Sequence, residues 1–408
     1  MIEKELDNSK IAVMGLGNIG LPLAIELGKK YTTVGFDLES QRILSLKQGI
    51  DSRNAHSPTF TISEKLIFST EISSLHDCNI YIVAVPTSTY NDGKPNLQAL
   101  LAVTQTISSL LKKNDLVIYE STVFPGCTEN ICVPILELYS GLKFNNDFFV
   151  GYSPERINTA DSLHTLSNTI KITAGSTPVT AQKVDQLYKS IVLAGTFPVK
   201  SIKVAEAAKL VENAQRDINI AFMNDVANIL STNEVPFDEV WDASSTKWNF
   251  LKFTPGLVGG DCLPLASQYL DYLSDGTTNT LSTARHINEN VPYAIAKLVE
   301  TKLKQNFGEL TDFNVLILGV AYKPNTSSIK GSLVPTLIEA LQTSRLNTDV
   351  YDPVAEPSEI LMLSKISDEK KYHLIIRATN HQVFEDLDYS SIGHDNFLNF
   401  DIHQFRFK

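Results

Sequence analysis

Cysteine is scarce in this chain: 408 residues hold only Cys78, Cys127, Cys132 and Cys262. No two of them form a CxxC, and their spacing suits neither a disulfide framework nor a zinc site. The sequence therefore reads as cytosolic, with reduced thiols and no metal. Long apolar runs are lacking too, and none is long enough to span a bilayer. The first residues, Met1 to Leu6, are charged and lead straight into a strand, so no signal peptide is expected. Excess positive charge is also missing. A formal net charge of -11 argues against nucleic acid or an anionic membrane as the main partner, while leaving room for a local basic pocket that holds phosphates. What remains has the make-up of a soluble globular protein, 43% hydrophobic and 20% charged, with length enough for two or three domains.

Lys10 to Gly20 reads K-I-A-V-M-G-L-G-N-I-G. An apolar strand enters a turn made of Gly15, Leu16, Gly17, Asn18, Ile19 and Gly20, and a helical run follows from Leu21 to Lys29. A second apolar strand, Thr33 to Phe36, ends at Asp37. Strand, glycine turn, helix, strand and acid, in that order, form a dinucleotide-binding unit with the acid placed for a ribose hydroxyl. The pyrophosphate would rest on the helix N-terminus. Asp37 favours NAD over NADP because a carboxylate repels a 2′-phosphate, and Arg42 nearby keeps NADP open.

Further apolar strands end in polar, proline-bearing turns. Asn79 to Val85 runs into Pro86-Thr87-Ser88, Asp115 to Tyr119 into Glu120-Ser121-Thr122, and Phe148 to Gly151 into Ser153-Pro154-Glu155-Arg156. Ligands of a doubly wound sheet bind at such carboxyl ends, so Thr87, Ser88, Thr122 and Glu155 are candidates for one crevice. Turn chemistry alone would also account for them.

From Ser201 the pattern becomes helical. Val204 to Leu230 contains no Gly or Pro and keeps a 3.6-residue apolar rhythm. Lys209 and Asn213 are four apart and share a face. The helix suits a spine and a dimer interface, and the alternative for Lys209 is a solvated or salt-bridged lysine, with Glu206 and Glu212 both in reach. Past a shorter helix from Pro236 and the run Lys247-Trp248-Asn249-Phe250-Leu251 comes Pro255-Gly256-Leu257-Val258-Gly259-Gly260-Asp261-Cys262. Glycines let backbone approach a ligand, and a cysteine on such a loop serves as a nucleophile if its thiolate is favoured. A buried structural thiol is the other reading. After Glu309 a second α/β unit begins, with strands Phe313 to Val320, Asp349 to Tyr351, Leu374 to Ala378 and Phe397 to Phe400, and no full GxGxxG.

The blocks G-L-G-N-I-G-L-P-L-A, E-S-T-V-F-P-G-C-T-E, G-Y-S-P-E-R-I-N, V-A-E-A-A-K-L-V-E-N-A-Q-R-D, K-W-N-F-L with P-G-L-V-G-G-x-C, and G-V-A-Y-K-P-N occur in this order over nearly the whole chain. Together they resemble the UDP-glucose/GDP-mannose dehydrogenase family, most of all its bacterial UDP-N-acetylhexosamine 6-dehydrogenase branch. The resemblance implies two Rossmann-like, doubly wound domains joined by a long central helix and a helical dimerisation region. The parts would be an NAD-binding domain over 1–200, a helical region with the catalytic loop over 201–300, and a UDP-sugar-binding domain over 301–408. It also implies a homodimer that uses NAD to oxidise the C6 alcohol of a UDP-sugar to a carboxylate, for surface polysaccharide synthesis.

Carried over by position, Cys262 falls on the nucleophile that forms a thiohemiacetal and then a thioester. Lys209 and Asn213 fall on the oxyanion-stabilising pair. Glu155 falls on the acid linked to the general base and the hydrolytic water, and Thr122 on a site for that water or the nicotinamide. Arg156 sits in the same substrate block. Lys323 falls on a substrate-binding lysine, and Phe250, Leu251, Phe253 and Gly259 on the loop that wraps the nucleotide sugar. Departures gather at the chemistry. Asp261 precedes the cysteine where this branch commonly has histidine, and Ala266 stands where the family has an aspartate. Thr254 replaces an arginine, Ser328 an aspartate, and Lys330 a cofactor-contacting arginine, losing the bidentate fork. These departures leave a second reading: a diverged homologue that binds NAD or a nucleotide sugar in a regulatory role, or that stops at the aldehyde.

Overall fold

In the computed structural model the described residues are 6–53, 59–157, 164–260, 262–274, 276–277, 279–309, 313–356, 358–367 and 369–407. The chain divides into two compact units, Met1–Glu212 and Asn213–Lys408. The border between them falls inside the helix Ile202–Thr232.

The first unit is built on short apolar strands: β1 Lys10–Met14, β2 Thr32–Phe36, β3 Leu66–Ser69, β4 Ile80–Val83, the small hairpin of β5 Ser88–Thr89 and β6 Pro95–Asn96, β7 Leu116–Tyr119, β8 Phe149–Tyr152, β9 Lys171–Gly175 and β10 Thr196–Pro198. Helices α1 Gly20–Gly28, α2 Ser40–Lys47, α3 Gln98–Ser108, α4 Val133–Ser140 and α5 Pro178–Lys189 connect them. The main sheet has the order β10-β9-β8-β7-β4-β1-β2-β3. Its neighbours pair in parallel except β8 with β9. Successive strand residues point to opposite faces. Ala12, Met14, Tyr81 and Val83 therefore enter one core layer, and Ile11, Val13, Ile80 and Ile82 the other. Burial on both faces is why these strands read as unbroken apolar runs.

Helix α6, Ile202–Thr232, carries the chain into the second unit. There follow α7 Phe237–Ser245, α8 Cys262–Ser274 and α9 Thr280–Phe307, which holds Pro292 in its interior. The second sheet has the order β12-β11-β13-β14-β15, from β11 Asn314–Leu318, β12 Asn347–Tyr351, β13 Tyr372–Arg377, β14 Gly393–Asp401 and β15 Arg406–Phe407, with α10 Val334–Thr343 between β11 and β12. Only β14 and β15 pair antiparallel. No helix among the described residues is long and apolar enough to cross a membrane.

Candidate functional site

The glycine turn is closed by the protein itself at one end and open at the other. Gly15 has φ +93, and a Cβ on Gly20 would lie 1.8 Å from the Gly15 carbonyl oxygen, so no other residue fits there. A Cβ on Gly17 would meet only the tip of Arg53, at 3.5 Å, which leaves the turn open to a ligand. Asn18 is exposed, and Ile19 precedes the first turn of α1. The Asp37 carboxylate accepts the Leu16 amide at 2.8 Å and the Glu39 amide at 3.0 Å, which fixes the acid against the turn. A dinucleotide fits this arrangement: amides at the helix N-terminus for the pyrophosphate and a fixed carboxylate for a ribose. Arg42 is placed differently from a surface contact for a phosphate. It is buried, donates to the Leu16 carbonyl and pairs with Asp51, so it braces the turn from below.

At the carboxyl ends of β4, β7 and β8 the structure ties several candidates together. Thr87 Oγ1 donates to the Thr122 carbonyl at 2.7 Å, linking the β4 and β7 turns. Ser88 lies just beyond, exposed, in the small hairpin. Glu155 is buried, and its carboxylate accepts the Ile157 amide. The alternative reading of Lys209, as solvated or salt-bridged to Glu206 or Glu212, is not what the structure shows. Lys209 is buried and its ammonium donates to the Glu155 carbonyl. Glu206 instead accepts the amides of Gly126 and Thr128, at 2.5 and 2.9 Å. Burial pushes the Glu206 carboxyl up, against those hydrogen bonds. Glu212 holds the Arg156 guanidinium, which also donates to the Ile170 carbonyl at 2.8 Å.

In the second unit Cys262 opens α8 and is exposed, whereas Cys78, Cys127 and Cys132 are buried. The reading of Cys262 as a buried structural thiol therefore fails. Asn213, one turn beyond Lys209 on α6, donates its amide to the Cys262 carbonyl at 3.4 Å. Asp261 lies outside the described residues. Ala266 is fully buried in α8. Phe250 and Phe253 pack against the unit's core, the Phe253 carbonyl accepts the Trp241 indole at 2.7 Å, and Leu251 is exposed. Gly260, φ +81, donates its amide to the Gly331 carbonyl at 3.0 Å, and a Cβ on Gly259 would meet that same oxygen at 2.6 Å. The glycine loop is thus stitched to the residue next to Lys330, which is exposed. Leu257 and Tyr322 line one cavity with Pro324, Leu333, Thr379 and His403, and half-buried Lys323 falls between two of these residues in sequence.

The second sheet repeats the device of the first, with one difference. Gly15 donates to the Phe36 carbonyl, and Gly319 likewise to the Tyr351 carbonyl, at 2.8 and 3.0 Å. As Leu16 does to Asp37, Val320 donates to Asp352, at 2.8 Å. Asp352, however, also accepts the amides of Ala321, Val354 and Ala355 and faces the His381 ring at 3.1 Å. Burial works to raise its pKa, but His381 and the amides outweigh that and hold it at about 2. Its lone pairs are taken, so it cannot serve a ribose as Asp37 can. Sequence reasoning missed this acid, and it missed Lys171, Glu120 and Asp217 as buried anchors. Glu120 and Asp217 stand at the ends of two of the quoted blocks, but nothing in those blocks marks them as buried, and their partners lie far off in sequence.

Three domain descriptions of one family match this chain: UDP-glucose/GDP-mannose dehydrogenase family, NAD binding domain, over residues 9–192; central domain over 203–290; and UDP binding domain over 316–405. A UDP-N-acetyl-D-glucosamine 6-dehydrogenase of Salmonella typhi is 40% identical over 97% of this chain and 96% of its own. One of Pseudomonas aeruginosa is 40% identical over 94% and 93%. The solved structure of a UDP-D-ManNAc dehydrogenase from Pyrococcus horikoshii, 29% identical, superposes with a TM-score of 0.85 over 97% of this chain and 96% of that one. The open glycine turn and the sealed acid of the second sheet agree with an NAD site in the first unit and a different nucleotide site in the second. The chain belongs to the UDP-glucose/GDP-mannose dehydrogenase family and is an NAD-dependent nucleotide-sugar dehydrogenase.

Proposed function

We propose that this protein oxidises the C6 alcohol of a UDP-N-acetylhexosamine to the carboxylate through a covalent adduct on Cys262, supplying a uronic acid for surface polysaccharide. The observation that carries the reading is the thiol itself: exposed, at the first residue of α8, with its carbonyl held by Asn213. A cysteine is the side-chain nucleophile that such a thiohemiacetal and thioester require. The names of the 40%-identical relatives support the sugar class.

NAD+, held by the glycine turn and Asp37, would accept a hydride from C6 in each of two oxidations. The chain's own residues do the rest. The Cys262 thiolate adds to the C6 aldehyde, forming the C–S bond, and the aldehyde oxygen takes a proton to give the thiohemiacetal. Loss of a hydride and that proton leaves a thioester. Water then attacks the carbonyl carbon, the C–S bond breaks, and the thiolate leaves with the carboxylate formed. Lys209 and Asn213 stabilise the oxyanion of the addition and hydrolysis steps. Glu155 manages the proton of the attacking water, with Thr122 beside it in role. Arg156, Phe250, Leu251, Phe253, Gly259 and Lys323 hold the nucleotide sugar, and Lys330 contacts the cofactor.

The test is NADH formation with NAD+ and a panel of UDP-hexoses and UDP-N-acetylhexosamines. UDP-N-acetylhexosamines are expected to give the highest kcat/KM. Saturable NAD+ binding without NADH from any sugar would favour the diverged, non-oxidising reading instead. Ala266, buried where the family has a carboxylate, is the residue that keeps that reading in play.

We further propose a homodimer through α6. Val204, Val211, Phe222 and Ile229 recur along that helix at helical spacing and remain exposed, a stripe of the kind that marks an interface. Light scattering should give twice the chain mass of 45.1 kDa, and Phe222→Glu should halve it. A monomeric parent protein would contradict the dimer.

A further inference from the structure

A lysine lies buried beneath the turns that carry Thr122 and Glu155. Lys171 opens β9, and its side chain is 3% exposed, with Glu120 at 1%. The ammonium stands 2.9 Å from Glu120 Oε2, 3.1 Å from the Pro154 carbonyl and 3.4 Å from the Ser153 carbonyl. Glu120 follows β7 and precedes Ser121-Thr122, while Ser153 and Pro154 follow β8 and precede Glu155. The other carboxylate oxygen of Glu120 accepts the Tyr188 hydroxyl, and the Tyr188 ring lies 4.9 Å from the ammonium. The neighbours of Lys171 grip the same turn. Ile170 accepts from Arg156 at 2.8 Å, and Ile172 from Ser153 at 2.7 Å. From the α6 side, Lys209 holds the Glu155 carbonyl.

Burying an ion pair brings little net stability, because desolvation offsets the attraction. A pair in this position is better explained by what it orients. Both carbonyls it binds immediately precede Glu155, and its carboxylate partner immediately precedes the Ser-Thr turn. Resting on the reading that Glu155 takes part in the reaction, we propose that Lys171 is a positioning residue: paired with Glu120, it locks the β7 and β8 turns together and so fixes Glu155 and Thr122 for the chemistry. It touches neither substrate nor cofactor in this role.

Lys171→Met alone leaves the Glu120 carboxylate buried without its partner, so loss of fold is expected of it. The deciding variant is Lys171→Met with Glu120→Gln, which removes both charges and keeps the shapes. It is expected to melt near the parent temperature and to bind NAD+ as the parent does. Its kcat should fall roughly tenfold to a hundredfold with KM for the UDP-sugar nearly unchanged, since a misplaced group costs rate more than binding. A folded paired variant with kcat within twofold of the parent would overturn the proposal. A paired variant that does not fold overturns it as well, because the pair would then hold the unit together rather than the turn. Glu155→Gln, measured alongside, separates the two claims. Parent-like kcat in Glu155→Gln sinks the reading of Glu155 itself, whereas a slow Glu155→Gln beside a fast paired variant sinks only the clamp.

Discussion

Replacing Cys262 by serine is expected to lower uronate formation by on the order of 10^3-fold or more, with NAD+ affinity unchanged. The first hydride leaves an alcohol and needs no covalent partner. The second must leave a tetrahedral adduct, and without a thiolate that adduct is slow to form and slow to break down. Any residual NADH should therefore appear as a single slow equivalent, with aldehyde rather than acid as product. The exposed position of Cys262 at the start of α8 makes the substitution structurally mild, because no core packing is lost. Circular dichroism and an NAD+ titration on the same preparation check that. Parent-like acid production by the serine variant would remove the cysteine from the mechanism.

Asp217→Asn should destabilise the second unit by about 3–5 kcal/mol, the usual cost of leaving one partner of a buried ion pair unpaired. Asp217 is fully buried on α6 and accepts Arg285 at 2.8 Å, Asn288 at 2.8 Å and Ser267 at 2.7 Å. Asn288 in turn accepts the Asn224 side-chain amide at 2.9 Å, and the Asn224 side chain donates to the Gly256 carbonyl and accepts the Gly256 amide. One carboxylate thus ties α8, α9 and the start of the glycine loop to α6. Urea denaturation followed by the fluorescence of Trp241 and Trp248, both in the second unit, reads the effect. Arg285→Met added to Asp217→Asn should restore part of the loss, since it removes the stranded charge. A loss under about 1 kcal/mol in the single variant would mean that water reaches the site and relieves the charge.

The first sheet was legible because its chemistry is local. Gly15, Gly17, Gly20 and Asp37 lie within one strand-turn-helix-strand unit, and each has a role fixed by sequence distance. The second sheet's strands were equally plain as apolar runs, but Asp352 was not readable as a sealed acid, because His381 comes from a distant strand end. Lys171, Glu120 and Asp217 escaped for the same reason. Their partners stand tens of residues away, and a charged residue at a strand end or in a helix looks like surface until its neighbours are known. Arg42 shows the converse: proximity to Asp37 suggested a phosphate contact, and the side chain turned inward to Asp51 and Leu16 instead.

The glycines before Cys262 were read as letting backbone approach a ligand, whereas Gly259 and Gly260 lie against Gly331, and the exposure of Cys262 removes only the reading of a buried thiol. Ala266 changes meaning once its burial is known. Placing an aspartate there puts a carboxylate into a site closed to water, which costs more than a surface change would.

The most direct measurement counts NADH against UDP-N-acetylglucosamine consumed, with the product identified by mass. Two NADH per sugar, with a product heavier than the substrate by the difference between a CH2OH and a carboxylate, is the predicted result. One NADH with an aldehyde product, or no NADH beside intact NAD+ binding, would contradict it.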